Sequence, residues 1–232
     1  MILSERIKKI AECVEYADCI ADIGTDHAYL PIALITQKKA GFVIASDLRE
    51  KPLLRAKRNV EKEGLSDRIE LRMSDGARNF KPHEVDAVTI SGMGGALMTR
   101  IIYERPEVFD ELDCMYLSPQ SEIYDFRIRL MDMGYYIMDE WMVEEGHKFY
   151  FIIKAKAGVE QNPYRECELY YGRELLKKRD ETLLRYIKHE TEIQQRLLDK
   201  LMPIDNDSKF DRISEISAKQ NIITEAIGYY YI

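Results

Sequence analysis

The stretch CIADIGTDHAYLPIALIT, residues 19–36, changes character at Gly24. Its first half is a short apolar run broken only by Asp22, the pattern of a strand buried on both faces. Its second half, AYLPIALIT, is helical in spacing, and Pro31 is tolerated in a first helical turn. A buried strand, a turn with one glycine and a helix make half of a parallel-sheet unit.

The same alternation extends outward. GFVIASD (41–47) reads as a second strand and KPLLRAKRNVEKEG (51–64) as a helix closed by Gly64. RIELRMSD (68–75), VDAVTISG (85–92) and CMYLSP (114–119) are three further strands, with GALMTRIIYE (95–104) and YDFRIRLMDMG (124–134) as helices between and after them. Upstream, Ser4 is a candidate cap for a first helix whose Ile7, Ile10, Ala11 and Val14 fall at helical spacing. Beyond Gly134 the alternation stops. YYIMDEWMV (135–143) and HKFYFIIKAKA (147–157) form a hairpin that supplies an antiparallel edge to an otherwise parallel sheet.

After Gly158 the pattern changes again. Residues 162–201 place Leu169, Leu176, Leu183, Ile187, Leu197 and Leu201 on one side, which predicts one long amphipathic helix. The segment MPIDNDSK (202–209) breaks it, and Ile213, Ile216, Gln220, Ile223 and Ile227 mark a second helix able to pair with the first as a coiled-coil hairpin. The expected fold class is therefore α/β, with a doubly wound domain over 1–160 and a helical hairpin domain over 161–232.

Composition narrows the function. The 232 residues are 46% hydrophobic and 32% charged, as in a soluble globular protein. No apolar run could span a bilayer, and the amino end is broken by charge too early for a secretory signal, so a cytoplasmic location is expected. Cys13, Cys19, Cys114 and Cys167 form no metal-ligand or disulfide pattern, and no metal is expected. His83, His147 and His189 have no acid or cysteine partner in the sequence that would make a catalytic set. The net charge of −7 argues against a protein that coats nucleic acid, but REKPLLRAKR (49–58) gathers Arg49, Lys51, Arg55, Lys57 and Arg58. A second set of cations, with Arg173, Lys177 and Lys178, lies in the helical region.

In an open parallel sheet the ligand sits beyond the carboxyl ends of the strands. The first strand ends in Asp22-Ile23-Gly24-Thr25-Asp26-His27. This is not the Gly-x-Gly-x-x-Gly that a pyrophosphate needs, and Asp26 would repel one. The loop suits a ligand without phosphate that carries a positive group, such as a sulfonium or amine. Asp47 ends the second strand, where a carboxylate can accept both ribose hydroxyls, and Asp75-Gly76 follows the third, where it can accept the exocyclic amine of an adenine. Each aspartate alone could be a cap or turn residue; together they describe a pocket for a cationic adenosine, S-adenosylmethionine. The fourth strand ends in Ile90-Ser91-Gly92-Met93-Gly94-Gly95. This segment offers no strong base, but it would let a flat ring approach the donor closely. Tyr29, Met93 and Tyr116 are candidates to stack on that ring.

DIGTDHAYLPI (22–32), ASDLREKPLLRAKRN (45–59), ISGMGG (90–95), YLSPQ (116–120) and the NPY (162–164) that opens the helical region resemble, nearly end to end, the bacterial TrmK family. These are tRNA methyltransferases acting on N1 of adenine 22 in the D arm. The resemblance implies a class I, Rossmann-like methyltransferase domain with a coiled-coil appendage, S-adenosylmethionine as donor and tRNA as partner. It matches Asp22, Gly24, Asp26 and His27 to the donor loop, Asp47 and Leu48 to ribose and adenine contacts, and Asp75 and Gly76 to the adenine edge. Gly92 joins the donor set; Asp26, Tyr29, Met93 and Gly94 form the catalytic set, with Asp26 facing the positive charge that develops on the product. RNA contacts are expected from Arg55, Lys57, Arg58, Arg173, Lys177 and Lys178. Two other readings stay open: a methyltransferase for a protein or small molecule, and a tRNA-binding scaffold with a relic pocket.

Overall fold

In the computed structural model, which describes residues 3–202 and 209–231, the chain divides into two compact units, Met1–Gln161 and Asn162–Ile232. In the first, elements follow one another as α1 (Glu5–Cys13), β1 (Ala17–Ile23), α2 (Tyr29–Thr36), β2 (Ala40–Asp47), α3 (Glu50–Lys62), β3 (Ile69–Met73), β4 (Ala87–Ser91), α4 (Gly95–Tyr103), α5 (Pro106–Phe109), β5 (Cys114–Ser118), α6 (Ile123–Asp132), β6 (Tyr135–Glu145) and β7 (Lys148–Ala157). The short α5, which begins at Pro106, has too few residues to show a period in the sequence.

Seven strands form one sheet in the order β3-β2-β1-β4-β5-β7-β6. The first five pair in parallel; β7 runs antiparallel to both β5 and β6, so the hairpin enters the sheet by its second strand and β6 becomes the edge. The chain order reverses between β1 and β4, and this switch point opens a crevice at the carboxyl ends.

Local chemistry explains the elements. Ser4 caps α1, its Oγ accepting from the Ile7 amide at 3.3 Å, and Ile10, Ala11 and Val14 bury that helix against α2 and the sheet. The core strands β1 and β4 read ADCIADI and AVTIS, and their Ile20, Ala21, Ile23, Val88 and Ile90 are buried. At the far edge Arg127 of α6 and Glu140 of β6 form a wholly buried ion pair, Nε to Oε1 at 2.8 Å, with the guanidinium 5.0 Å from the centroid of the Phe151 ring.

The second unit departs from expectation. Instead of one long helix there are three, α7 (Glu166–Tyr171), α8 (Arg173–Lys178) and α9 (Glu181–Leu201). Gly172 at φ +88° and Arg179 at φ +54° leave the helical region, and Asp180 then caps α9 by accepting from the Leu183 amide at 2.9 Å. Leucine spacing alone cannot register such breaks, because both sides of each break still bury the same face. The fourth helix, α10 (Lys209–Gly228), runs antiparallel to α9: Lys219 lies 3.5 Å from Glu190, and the Tyr230 hydroxyl donates to the Asp180 carbonyl at 2.8 Å. Of the expected breaker MPIDNDSK, residues 203–208 lie outside the described residues.

Removing one member of the buried Arg127–Glu140 pair leaves the other charge without its counterion. Arg127→Met is expected to lower the unfolding free energy by about 3–5 kcal/mol, and Arg127→Met with Glu140→Leu to recover most of it. Urea denaturation followed by circular dichroism reads both, and an equal loss in single and double variants would show that the charges contribute nothing to each other.

Candidate functional site

The carboxyl ends of the parallel strands, together with α1, enclose a cavity of about 660 Å³. Its size is that of a pocket for a nucleoside-sized ligand. Asp22, Gly24, Asp26, His27, Tyr29, Asp47, Leu48, Asp75, Gly76, Gly92 and Met93 all line it. The switch point thus brings together residues spread over seventy positions of sequence.

The turn after β1 is built from the backbone. The Gly24 and Thr25 amides both donate to the Ser46 carbonyl at 2.8 Å, tying the turn to the end of β2. Gly24 sits at φ +87°, the left-handed region that favours glycine, and the movable Met93 methyl carbon lies 2.1 Å from where a Cβ would be, so the first and fourth strand-end loops meet here. Asn59 of α3 donates to the His27 carbonyl at 2.9 Å, and the His27 ring stacks on Tyr29 at 5.0 Å.

The carboxylates are in different states. Asp22 is buried, and desolvation raises its pKa to about 6 against the hydrogen bonds from Thr89 and Thr25, which favour the charged form; the Thr89 hydroxyl donates at 2.8 Å. Asp26 is exposed and paired, with Arg55 Nη1 at 3.2 Å and His27 Nε2 at 3.4 Å. Arg55, expected to meet phosphate, therefore holds a pocket carboxylate. Asp47 is nearly buried, its Oδ1 accepting from the Arg49 amide at 2.8 Å. Asp75 faces Arg78 at 3.0 Å and Arg100 at 3.7 Å. Leu48 presents an exposed apolar plate beside Asp47.

The loop after β4 is glycine-rich for two separate reasons. Gly92 adopts φ +82°, while a Cβ on Gly95 would strike the Ser121 carbonyl at 2.9 Å and Phe126 Cβ at 3.0 Å. The Gln120 amide donates to the Met93 carbonyl at 2.9 Å, fastening this loop to the one after β5.

Three expected residues lie elsewhere. Gly94 caps α4 and is not among the residues lining the cavity. Tyr116 cannot stack on a bound ring: it is buried in the core between the sheet and α1, its hydroxyl accepting from the Glu15 amide at 3.0 Å, and burial pushes its phenol well above the usual value. Arg173 is likewise buried and cannot reach an RNA phosphate. It pairs with Glu168 at 3.0 Å, donates to the carbonyls of Asn162 and Pro163 and lies 3.5 Å over the Tyr164 ring, so it clamps the NPY segment. Arg58, Lys57, Lys177 and Lys178 are exposed.

A family model described as "Methyltransferase domain" matches residues 3–153. The chain is 31% identical over 98% of its length, and 98% of the relative's, to the tRNA (adenine(22)-N(1))-methyltransferase of Bacillus subtilis strain 168. The chain belongs to the tRNA (adenine(22)-N(1))-methyltransferase family. Two solved structures from this group add the ligand. A Streptococcus pneumoniae protein in complex with S-adenosyl-L-methionine matches with 29% identity over 97% of this chain and 99% of that one, at a TM-score of 0.84. M. capricolum TrmK in complex with S-adenosyl-homocysteine matches with 28% identity over 99% of each chain, at 0.81.

The residues present fit such a donor: carboxylates able to accept from hydroxyls, an amine or a cation, and an exposed leucine, all line one cavity. Sequence reasoning missed Ser4, Arg6, Ile7, Leu97, Arg100, Ile101 and Gln120, which also line the cavity. Ile7 carries the helical spacing of a core residue, and a lone arginine in an amphipathic first helix carries no signal at all.

The raised pKa of Asp22 sets a sign. The folded protein binds more protons than the unfolded chain between the two pKa values, so the stability contribution of Asp22 falls as pH rises through about 6 and the penalty is fully present at pH 7.5. Asp22→Asn is expected to raise the unfolding free energy at pH 7.5 by about 1–3 kcal/mol, the gain shrinking towards pH 5, while weakening binding of the cationic donor. Urea titrations at the two pH values check it; a pH-independent difference would place the cause elsewhere than in this carboxyl.

Proposed function

We propose that this protein methylates N1 of adenine 22 in the D arm of tRNA, taking the methyl group from S-adenosylmethionine. The observation that carries the reading is the convergence of Asp22, Asp47 and Asp75 from three strand ends on one cavity whose β4 side is walled by Gly92 and Met93. The family relationship along nearly the whole chain supports the same substrate.

Asp47 would hold the ribose, Asp75 and Leu48 the adenine, and Asp22 the positive end of the donor, which when bound supplies an electrophilic methyl group on a sulfonium. Adenine N1 carries an exposed lone pair at neutral pH, so the chain has to orient two reactants and exclude water, not remove a proton. Tyr29 and Met93 are half-buried at the cavity wall and are placed to flank the incoming ring. The methylated adenine is cationic, and the carboxylates of Asp22 and Asp26 are the groups of the cavity that favour that charge. Because N1 lies on the pairing edge, the base must leave its pair before it enters.

Docking is assigned to exposed cations. In the domain spanning 1–160 these are Lys57 and Arg58, with Arg55 paired to Asp26 at the mouth of the cavity; in the helical domain, 161–232, they are Lys177, which also pairs with Glu174 at 2.8 Å on the helix surface, and Lys178. Phosphate contacts position a nucleic acid without reading its sequence. Lys177→Glu with Lys178→Glu is expected to weaken tRNA binding and make its dependence on log salt shallower by up to about two, with donor affinity unchanged. Filter binding across a salt series measures this, and an unaltered slope would remove these lysines from the interface.

The direct test incubates the protein with labelled donor and two tRNA transcripts, one with adenine and one with guanine at position 22, and analyses the nucleosides. N1-methyladenosine in the first transcript alone is the expected result. Methyl at another position, or none with a correctly folded tRNA, overturns the assignment. Asp47→Ala and Asp75→Ala are each expected to lower affinity for S-adenosylhomocysteine about ten- to hundredfold by calorimetry.

A further inference from the structure

Adenine offers three ring lone pairs, on N1, N3 and N7, so methyl transfer to N1 alone requires the ring to be held by another edge. The edge that identifies the base carries N6, which donates, and N7, which accepts, whereas guanine presents two acceptors there. A side chain that reads this edge must donate and accept at two neighbouring atoms. Carboxylates only accept, guanidinium groups only donate, and a hydroxyl presents a single atom. The aspartates, arginines, serines and threonine of the cavity therefore fail the requirement, and the His27 ring is already engaged with Asp26 and Arg55. Among the described residues that line the cavity, Gln120 is the single carboxamide.

Gln120 lies two residues beyond β5, where its backbone is fixed and its tip is free. Its main-chain amide donates to the Met93 carbonyl at 2.9 Å, and the preceding Pro119 is buried. Its side-chain Nε2 is 3.8 Å from where a Cβ on Gly92 would be, so the carboxamide rests against bare backbone beside the wall that Gly92 and Met93 make. The residue is exposed, and its carboxamide makes no hydrogen bond among the described residues. Arg6 approaches the same point, with Nη1 at 4.0 Å, but a group that only donates matches the two acceptors of guanine.

We infer, on the adenine-N1 reading of the site, that Gln120 reads the target base: its carboxamide oxygen accepts from N6 and its nitrogen donates to N7 of the unpaired adenine. N1 is then the lone pair left open towards the donor. Attack of N1 on the methyl carbon breaks the methyl–sulfur bond, with the electron pair staying on sulfur, and the base keeps all its protons. A neutral amide therefore suffices, because this position has no proton to move. The loop after β5 supplies specificity for the base, while the aspartates at the other strand ends hold the donor.

The test uses the full chain, labelled S-adenosylmethionine and two ligated tRNAs that differ only at position 22, one with adenine and one with 7-deazaadenine, and reads kcat/KM for each. The unaltered protein is expected to methylate the 7-deaza tRNA about tenfold less efficiently, because the amide donor loses its acceptor. Gln120→Glu keeps the shape and the acceptor but not the donor; it is expected to lower kcat/KM on the adenine tRNA about tenfold and to abolish or reverse the preference. Gln120→Ala is expected to lose about ten- to hundredfold on the adenine tRNA and to treat the two tRNAs alike. Affinity for S-adenosylhomocysteine, measured by calorimetry, is expected to stay unchanged in both variants, which also shows that they fold. Equal efficiency on the two tRNAs in the unaltered protein overturns the inference whatever the variants do. So does a variant that keeps the preference, or one whose loss is matched by weaker binding of S-adenosylhomocysteine. In each of these cases the adenine tRNA is still methylated and the N1 reading stands. If the unaltered protein methylates neither tRNA, that reading falls and takes this inference with it.

Discussion

The left-handed turn at Gly24, tied by its amide to the Ser46 carbonyl and with the Met93 methyl group against it, is the constraint on which the site depends. Parallel strands place their carboxyl ends side by side, but the loops that follow are free to splay unless something joins them. Here the loop after β1 is pinned to β2 through the Ser46 carbonyl, the loop after β4 is pinned to that after β5 through the Met93 carbonyl, and Gly24 lets the two pairs close on each other. Any Cβ at position 24 would demand a strained φ, and the Met93 methyl group would have to shift to make room for it. Four strand ends thereby act as one rigid rim, which is what a reaction governed by positioning requires.

That rim carries a cost, and its distribution is informative. Asp22 is held in a desolvated place where its charged form is disfavoured, and only the hydroxyls of Thr89 and Thr25 offset it. Asp26, by contrast, is exposed at the mouth of the cavity with Arg55 at 3.2 Å and the His27 ring at 3.4 Å. A buried acid of this kind is destabilising for the fold alone, and its presence at a strand end marks a binding role more sharply than the residue type does.

Much of this was legible in sequence, and the physical reason is that strand ends in a parallel sheet can be located from hydrophobic runs alone. Asp22 interrupts such a run next to its end, Asp47 ends one and Asp75 follows one, and all three line the cavity. Readings failed where a residue's environment is set by elements distant in sequence. Tyr116 lies one strand from the site yet packs on α1, because alternate residues of β5 face opposite sides of the sheet. Arg173 stands in a basic cluster yet turns inward to Glu168 and Tyr164, since a guanidinium can be buried wherever carbonyls and an aromatic face satisfy it. The three-helix break at Gly172 and Arg179 was hidden by a leucine pattern that the breaks do not disturb. Arg6 left no trace, as its place in the cavity wall is set by Tyr150 and by the tie of Glu5 to Glu145, more than a hundred positions away.

The hairpin formed by β6 and β7 acquires a purpose in this light. A sheet of five parallel strands would already supply the switch point and the three aspartates, so the antiparallel pair is not needed to make an adenosine pocket. It does hold α1: Glu145 takes the first amide of that helix and Tyr150 faces Arg6, while Lys154 pairs with Glu15 just beyond the helix end at 2.6 Å. The helix is thus fastened at both ends by the late strands, and its cavity-facing side is fixed relative to Gly92 and Gln120. The wall of the cavity on this side is therefore built jointly by the first helix and the last two strands, so two segments separated by nearly the whole domain must meet before the cavity is complete.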